Sequence, residues 1–432
     1  MITDFDVSGV YEPLTTEQQV KVQELSQLAA ALEFPPTYEV GRRANAALFF
    51  SRWLYARKWD VDAAFTMLKD ACAWRIAQGS DTTPRFPSAV NIRGYDIDEI
   101  RRFHGTDPRP TNQRVDEVVK QLPCVAAWHK HDAQGRPVYI ERLGRIPVRN
   151  LVAKCKQLVP PGEPIDVPIV DVHLHSNEVG GTLTRYRSQL PGAMKNLCQV
   201  TVIMDCDGVT MGHFYGPALD LLKAESTLDQ KYYPEGLFML YVANAPRIIT
   251  IGWAIVKMWL DQRVQNKVIF LPPKDTKERL CAAIGEDNLP EFLGGRCRCE
   301  GECCPVSDGG EDDDTLTQVL QINRGAKLAK TYDIIAGHSF VWEMSVEKRD
   351  VTVVLAFQAT GDASPVTPVA QFQRSARASG SYTAPANGQM CMTFDNSFAW
   401  IHGKKLLLRA TTIAARAETT GETESADPSS PE

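Results

Sequence analysis

Four cysteines in the second half of the chain form the densest group of side chains that could do chemistry. They occur in the segment CRCEGECC, as Cys297, Cys299, Cys303 and Cys304. Thiolates bind zinc, but zinc sites usually present a C-x₂₋₄-C pair followed by a second, well-separated pair. Here one residue separates the first two cysteines, the last two are adjacent, and no histidine lies nearby. We therefore expect no metal site, with zinc as the alternative.

Two aspartates follow an apolar run in the segment VIMDCDGVT, residues 202–210. An apolar strand that ends in Asp-x-Asp-Gly resembles the first motif of haloacid-dehalogenase-type phosphatases, which would make Asp205 the nucleophile and Asp207 the general acid. Those enzymes also need a downstream hydroxyl residue, a lysine and a late acidic pair, and their nucleophile strand opens the domain. Because no such acidic pair follows and this strand lies mid-domain, we favour a strand-end turn without catalytic residues. The phosphatase remains the alternative.

Two further histidines, His173 and His175, alternate in a segment that reads as a loop or a strand. Neither has an acidic partner at a motif spacing, so a structural role is expected for both. With no complete catalytic set, the sequence favours a binding protein over an enzyme.

A basic pair, Arg57 and Lys58, lies beside three aromatic residues. Alone, such a pair is typical of an amphipathic helix end whose cations face water. Two other charges, Glu235 and Lys267, flank apolar runs, and Lys267 opens an apolar strand. A lysine at that position could meet a phosphate at the rim of a hydrophobic cavity.

The composition is that of a globular protein. The 432 residues are 44% apolar and 23% charged, with a net charge of −6, which argues against general nucleic-acid binding. The N-terminus has no basic region followed by an apolar run, so we expect no secretory signal. The eleven cysteines are then expected to be reduced thiols in the cytosol.

One stretch, APRIITIGWAIVKMWL at residues 245–260, carries two tryptophans and hardly any charge. A membrane-spanning helix needs about 20 consecutive apolar residues. Asn244, Pro246 and Arg247 interrupt this stretch on one side, and Asp261 follows it on the other. Its length excludes a transmembrane span and leaves a buried core helix or a surface that meets lipid.

The first 300 residues read as a helical segment followed by alternating strands and helices. Residues 14–80 are expected to be helical, because apolar residues recur there at spacings of three and four. Between 115 and 300, apolar β-rich runs alternate with helical stretches around 215–226 and 246–261. The predicted strands are residues 138–143, 199–206, 238–244 and 267–271. This order implies an α/β fold with a mostly parallel sheet and right-handed crossovers.

An acidic, glycine-rich stretch, residues 301–316, predicts a linker. After it, residues 317–414 show a period of two with prolines and glycines between the runs, which predicts an antiparallel β-sandwich. The runs are residues 340–346, 350–358, 389–397 and 404–414. The polar tail, residues 415–432, is expected to be disordered.

Six segments, taken in order, resemble the CRAL-TRIO lipid-binding family in its phosphatidylinositol-transfer branch. They are LYARKWDVDAAFTMLKDACAWR (54–75), GRPVYIERLG (135–144), VIMDCDGV (202–209), KYYPEGLFMLYVANAP (231–246), IVKMWLDQRVQNKVIFL (255–271) and LPEFLGG (289–295). The resemblance implies an N-terminal helical unit (14–80) and an α/β lobe (115–300) that enclose one lipid. That lipid is cargo and not a cofactor, and no enzymatic activity is implied. The C-x-C after LPEFLGG resembles a variant found in some members.

The resemblance also implies which residues hold the lipid. The inositol phosphate would be bound by counterparts of Arg57, Lys58, Asp132, Pro137, Glu235 and Lys267. The cavity would be lined by Trp128, Tyr139, Val200, Val202 and Met204. A threonine often found three residues before the lysine is Val264 here, and two hydroxyl residues that some members use for phosphatidylcholine align with Val200 and Val202. Phosphatidylinositol is therefore favoured, while relatives that bind tocopherol, squalene or retinoids leave the cargo open.

On a helical wheel, the apolar stretch becomes a candidate gate helix. Arg247, Thr250, Lys257 and Asp261 form one narrow polar stripe. The apolar arc contains Ile248, Ile249, Trp253, Val256, Trp259 and Leu260. Such a helix can be covered when the cavity is closed and touch lipid when it opens. An ordinary buried crossover helix is the alternative.

The last part of the β region, TFDNSFAWIHGKKLLLRATTI (393–413), resembles the GOLD domain, a β-sandwich that some lipid-transfer proteins carry after CRAL-TRIO. That resemblance implies contacts with a protein partner or with trafficking membranes. We therefore expect a cytoplasmic protein that visits Golgi or endosomal membranes and binds a phospholipid or another hydrophobic lipid. A lipid-sensing trafficking adaptor that acts through GOLD is a further alternative.

Overall fold

A computed structural model of the chain describes residues 2–81, 90–104, 113–122, 125–214, 216–300, 302–306, 317–361 and 366–413. The chain splits into two units, Met1–Asp313 and Asp314–Glu432. Most of the predicted linker, apart from 302–306, and the whole tail 415–432 lie outside the described residues.

The helices of the described residues all belong to the first unit. They are α1 (Thr16–Leu28), α2 (Pro36–Ala44), α3 (Ala46–Ala56), α4 (Val61–Gln78), α5 (Ile97–His104), α6 (Gln113–Gln121), α7 (Val148–Leu158), α8 (Val167–Ser188), α9 (Gly216–Tyr232), α10 (Arg247–Val256), α11 (Gln262–Gln265) and α12 (Pro273–Ile284). Polar caps fix where several of them begin. Thr15 forms a capping box with Gln18, and the side chains of Asn45 and Asp60 accept backbone N–H groups of α3 and α4. None of these helices combines the length and the apolar character needed to cross a bilayer.

Six strands of the first unit form one sheet in sequence order. They are β1 (Ile92–Arg93), β2 (Ala126–His131), β3 (Pro137–Glu141), β4 (Val200–Asp205), β5 (Leu237–Ala243) and β6 (Val268–Phe270). The pairs from β3 to β6 and the pair β1–β2 are parallel, whereas β2 and β3 form an antiparallel hairpin. The predicted α/β class with a mostly parallel sheet is confirmed. Strands β1 and β2 and the long helix α8 were not predicted from the sequence.

Side chains of β4 alternate between two surroundings, as the period of two requires. Ile203 faces a fully packed core with Ile140 of β3, Tyr241 of β5 and Leu280 of α12. Val200, Val202 and Met204 point to the other face and are only half-buried. One face of the sheet is therefore packed by α12, and the other faces a cavity.

A buried ion-pair network joins α4 to α8. Arg75, which is 1% exposed, donates to both carboxylate oxygens of Glu178 at 2.6 and 3.0 Å. It also contacts Asp81 at 3.1 and 3.2 Å, and the hydroxyl of Tyr233 donates to Glu178 at 2.6 Å. Each charge in this network has a partner, so the desolvation cost of burying it is offset by charge-assisted hydrogen bonds.

The second unit consists of two four-stranded antiparallel sheets. Its strands are β7 (Thr317–Ile322), β8 (Lys327–Ile334), β9 (Ser339–Val346), β10 (Val351–Ala359), β11 (Val366–Ser375), β12 (Arg377–Thr383), β13 (Gly388–Asp395) and β14 (Lys404–Ile413). The sheet orders are β11-β10-β13-β8 and β12-β9-β14-β7. Trp342 and Leu408 of one sheet share a core with Leu355 and Phe394 of the other. These facing sheets fit the predicted sandwich, while the assignment to GOLD stays a prediction.

Two local expectations were wrong. His173 and His175 lie within α8, a helix of 22 residues, and not in a loop or strand. The helix expected over 246–261 ends at Val256 and continues only as a 3₁₀ turn, Lys257–Trp259. Asp261 therefore caps α11 and does not complete a polar stripe on α10.

We expect Glu178→Gln to lower the free energy of unfolding of the first unit by about 3 kcal/mol, because it leaves a buried guanidinium without its strongest partner. The measurement is chemical denaturation followed by the helical circular-dichroism signal. The control is Glu17→Gln, which breaks an exposed pair with Lys21 and should change stability by less than about 0.5 kcal/mol. Equal effects of the two changes would contradict the role of the buried network.

Candidate functional site

A cavity of about 1370 Å³ lies between the second face of the sheet and the surrounding helices. All five residues expected to line it do so: Trp128, Tyr139, Val200, Val202 and Met204. The indole N–H of Trp128 donates to the Ser176 hydroxyl of α8 at 3.1 Å, which fixes the ring at the cavity wall. The wall is mainly aliphatic and aromatic along this face, so it favours an apolar occupant.

Helix α10 and the turn after it form another part of the wall. Five of the six expected gate residues line the cavity, namely Ile249, Trp253, Val256, Trp259 and Leu260, whereas Ile248 is buried elsewhere. Gly252 allows α10 to approach closely, because a Cβ at this position would lie 1.9 Å from the Phe214 ring. Trp253 packs edge-on against Phe270 of β6 at 5.3 Å between ring centroids.

A charged cluster occurs in the cavity wall where β6 begins. Lys267 donates to Glu235 at 2.9 Å and to the Leu237 carbonyl at 2.8 Å. Arg263 forms two further hydrogen bonds to the Glu235 carboxylate, at 2.7 and 3.1 Å. Burial raises the pKa of Glu235, but these two cations outweigh it and hold the pKa below its ordinary value. The carboxylate is therefore ionised and bridges both cations.

Two more arginines, Arg52 of α3 and Arg57 directly after that helix, also line the cavity. Arg52 donates to the Pro234 carbonyl at 3.1 and 2.8 Å, beside Glu235. Sequence reasoning missed Arg52 and Arg263. Arg263 lay within the recognised segment before Lys267, and its spacing of four from that lysine was the available signal. Cations outnumber Glu235 in this part of the wall, which favours an anionic group there.

Three expected headgroup residues do not line the cavity. Lys58 is exposed, in a left-handed conformation with φ of 53°. Asp132 is buried in the β2–β3 turn, where it accepts the backbone N–H groups of Gln134 and Arg136 and the Thr201 hydroxyl. Pro137 is buried at the start of β3. The structure thus brings Arg57, Glu235 and Lys267 to the cavity, and the headgroup roles of all six stay predictions.

A second polar cluster in the wall was not found from the sequence. His173 of α8 contacts Asp229 of α9 at 2.9 Å and Glu225 at 3.8 Å, and Asn177 donates to Asp229 at 2.7 Å. Burial lowers the pKa of His173, but Asp229 and then Glu225 raise it to about 9. Burial raises the pKa of Glu225 to about 8, against the effect of His173. No motif spacing reveals this cluster, because its members meet only through helix packing.

The two aspartates weighed as a phosphatase motif lie apart from the cavity lining. Asp205 is buried and accepts hydrogen bonds from the Asn244 side chain at 2.8 Å and from the Asp207 backbone at 3.1 Å. Asp207 is exposed and pairs with Arg145 at 2.8 Å. These contacts are those of a strand-end turn.

No histidine is near the cysteines in the sequence, but one lies beside them in the fold. The fold brings His129 of β2 to Cys297, Cys299 and Cys303, with one donor atom from each residue within 4.8 Å of the others. Cys304 points elsewhere and donates to the Val125 carbonyl at 3.2 Å. The sequence concealed this cluster because 170 positions separate His129 from Cys299.

Part of the first unit is similar to a known family. Residues 124–295 match the CRAL/TRIO domain family model. Protein real-time of Drosophila melanogaster is 25% identical over 377 residues, which are 81% of this chain and 50% of that protein. The phosphatidylinositol/phosphatidylcholine transfer proteins SFH12 and SFH11 of Arabidopsis thaliana are 32% and 36% identical, over 60% and 48% of this chain.

The chain spans only 37% to 52% of the length of the curated relatives it matches. The crystal structure of Sfh5 aligns with 63% of this chain at 15% identity and a TM-score of 0.40, which is too distant to add to the assignment.

The His173 cluster predicts a pH dependence of stability. Its folded pKa of about 9 exceeds the unfolded value, so its stabilisation is present below about pH 6.5 and is lost as the pH rises through 9. Glu225 acts in the same direction, because its folded pKa of about 8 lies above the unfolded value and burial penalises its ionised form. We expect the first unit to lose on the order of 2 kcal/mol between pH 6 and 9.

The double variant His173→Gln/Glu225→Gln should flatten this dependence in denaturation curves measured at several pH values. His338→Gln, in the second unit, is the matched control and should keep the wild-type slope. A double variant as pH-sensitive as the wild type would exclude the cluster as the cause.

Proposed function

We propose that this protein binds one phospholipid, with phosphatidylinositol as the preferred cargo, and transfers or presents it between membranes without catalysis. The observation that carries the proposal is a large apolar cavity with a cationic cluster in its wall. The CRAL/TRIO match and the names of the plant relatives, which are phosphatidylinositol/phosphatidylcholine transfer proteins, support it.

The size of the cavity supports a bound occupant. The cavity has a volume of about 1370 Å³ and is lined mainly by apolar side chains. Water molecules would lose hydrogen bonds in a cavity lined by valine, methionine and tryptophan side chains, so water is an unfavourable occupant. Acyl chains match this wall in chemistry and restore the packing.

The cationic cluster supports a phosphate at one position in the wall. An ammonium has three donors, and Lys267 uses two of them on Glu235 and the Leu237 carbonyl. Its third donor, together with Arg57 and the guanidinium of Arg263, suits a phosphodiester. Valine at 200 and 202 offers no hydroxyl donor, which favours phosphatidylinositol over phosphatidylcholine as cargo.

Exchange of such a cargo requires a gate at the membrane. Two long acyl chains in water would cost on the order of 20 kcal/mol, at about 0.8 kcal/mol per CH₂. The cavity must therefore open against the bilayer. Helix α10 is suited to be the gate, because Ile249 and Trp253 line the cavity while Met258 in the following turn is 63% exposed. Tryptophan side chains are enriched at membrane interfaces.

An exposed apolar surface of the second unit supports a role in directing the protein to a binding partner or membrane. Trp400 and Ile401, which are 89% and 72% exposed, lie together in the loop between β13 and β14. Adjacent exposed apolar side chains are typical of a surface that meets a partner or a membrane. We propose that this GOLD-like unit directs the protein to a partner on Golgi or endosomal membranes, at their cytoplasmic side.

We expect Lys267→Ala to lower phosphatidylinositol loading about tenfold, since a charge-assisted hydrogen bond contributes roughly 1.5–3 kcal/mol. Loading is measured by mass spectrometry of co-purifying lipids and by uptake from vesicles that contain labelled phosphatidylinositol. Lys274→Ala, at an exposed position in the first turn of α12, is the control and should load normally. Normal loading of Lys267→Ala would refute the proposed headgroup position.

We expect Trp253→Asp and Ile249→Asp to slow vesicle-to-vesicle transfer at least tenfold, because a carboxylate in the gate must be desolvated each time the gate meets lipid. The control is Ala254→Asp, at an exposed position of the same helix. Circular dichroism checks that the variants are folded. Wild-type transfer rates in folded variants would remove α10 from the mechanism.

A further inference from the structure

The cysteine cluster at the far face of the sheet holds the donors of a metal site. His129 and the three thiols of Cys297, Cys299 and Cys303 are buried or half-buried, with Cys299 the most accessible. Thiolate and imidazole are the donor types that structural zinc sites use, as Cys₃His. We propose that these four residues bind one zinc ion.

The spacing of the donor atoms fits a tetrahedron around one ion. Zn–S bonds of about 2.3 Å and Zn–N bonds of about 2.0–2.1 Å at tetrahedral angles place two sulfurs about 3.8 Å apart and a sulfur and a nitrogen about 3.6 Å apart. The Cys297 and Cys299 sulfurs are 3.7 Å apart, and the Cys299 sulfur lies 3.4 Å from Nε2 of His129. Both observed edges are within a few tenths of an ångström of the ideal ones.

The local backbone is arranged to support thiolates. The backbone N–H of Cys299 donates to the Cys303 sulfur at 3.2 Å, a contact that an anionic sulfur strengthens. The loop itself is tied down, because the Cys297 N–H donates to the Leu289 carbonyl and its own carbonyl accepts from Glu291. The backbone at Cys297 is therefore held in place by main-chain hydrogen bonds that do not depend on the ion.

The choice of zinc follows from the donors. Soft thiolates with one imidazole in a tetrahedron select zinc over magnesium or calcium, which prefer oxygen ligands. Four donors within 4.8 Å of one another surround a single ion, and this excludes a larger iron–sulfur cluster. A disulfide would bring two sulfurs to about 2.0 Å and would leave the histidine without a role.

The ion would tie the loop after α12 to strand β2. His129 and Cys299 are 170 residues apart in the sequence, so their joint ligation closes a long loop of the unfolded chain. Such a cross-link stabilises the folded state, because a preformed site does not exist in the unfolded chain. Zinc therefore has a structural role here, independent of any lipid in the cavity.

The test is the metal content of the full-length protein, purified without chelators or metal-affinity steps and measured by elemental mass spectrometry. We expect about one zinc per chain in the wild type and at least a tenfold loss in Cys299→Ser/Cys303→Ser. Cys304→Ala is the matched control, because it removes the neighbouring thiol without removing a donor, and it should keep its zinc.

A second measurement stays decisive if the double variant does not fold. Chelation should lower the thermal midpoint of the wild type, and added Zn²⁺ should restore it. Replacement of zinc by Co²⁺ should give the visible absorption of tetrahedral thiolate-bound cobalt. Wild-type protein with less than a tenth of a zinc per chain that also binds no Co²⁺ would overturn the proposal, as would a folded double variant that keeps its zinc. Lipid loading does not enter these outcomes, so the proposal fails or stands separately from the proposed function.

Discussion

The alternation of side chains along β4 is the constraint on which the rest of the first unit depends. Because neighbouring residues of a strand point to opposite faces, one set of side chains packs against α12 and the other set, Val200, Val202 and Met204, faces the cavity. On the cavity side, α8 packs on β2 through Trp128, Val179 and Leu183, while the space beside β4 stays open. The Arg75–Glu178 contact, which also lines the cavity, joins α4 to α8.

Charged side chains in the cavity wall are paired with one another. Glu235 is bridged by two cations, which leaves a net positive charge there, whereas His173 is paired with the Asp229 carboxylate and Glu225 is mostly protonated at neutral pH. A ligand that enters must therefore compete with an existing partner. An anionic group competes for the cations beside Glu235, whereas the His173 cluster presents the Asp229 carboxylate and suits donors. Because the two clusters attract different chemical groups, the wall can orient an amphipathic molecule.

The sequence predicted those parts of the fold that depend on local pattern. The four strands from β3 to β6 follow from short apolar runs, and the second unit follows from alternation. The cavity lining at Trp128, Tyr139 and β4 came only from family resemblance. Helix α8 was missed because its polar residues, including His173 and His175, conceal the apolar period. The end of α10 at Val256 was missed because nothing in the sequence marks the change to a 3₁₀ turn.

Contacts between distant segments could not be read from the chain at all. The distance from His129 to Cys299 in space is set by the pairing of β2 with its neighbours and by the loop after α12, and no spacing rule covers 170 residues. Likewise, Asp132 was expected to hold the headgroup only because of the family resemblance. Its carboxylate instead accepts hydrogen bonds from the backbone of its own hairpin, from the Arg136 side chain and from the Thr201 hydroxyl.

Strand β2 contributes a residue to each of the two sites. Trp128 and His129 are consecutive, and the first faces the cavity while the second faces the cysteines. A slip of one residue in strand pairing would send the indole toward the thiols and the imidazole into the apolar wall. The cavity wall and the cysteine cluster therefore both require the same register of β2. A misaligned β2–β3 hairpin would disrupt both at once.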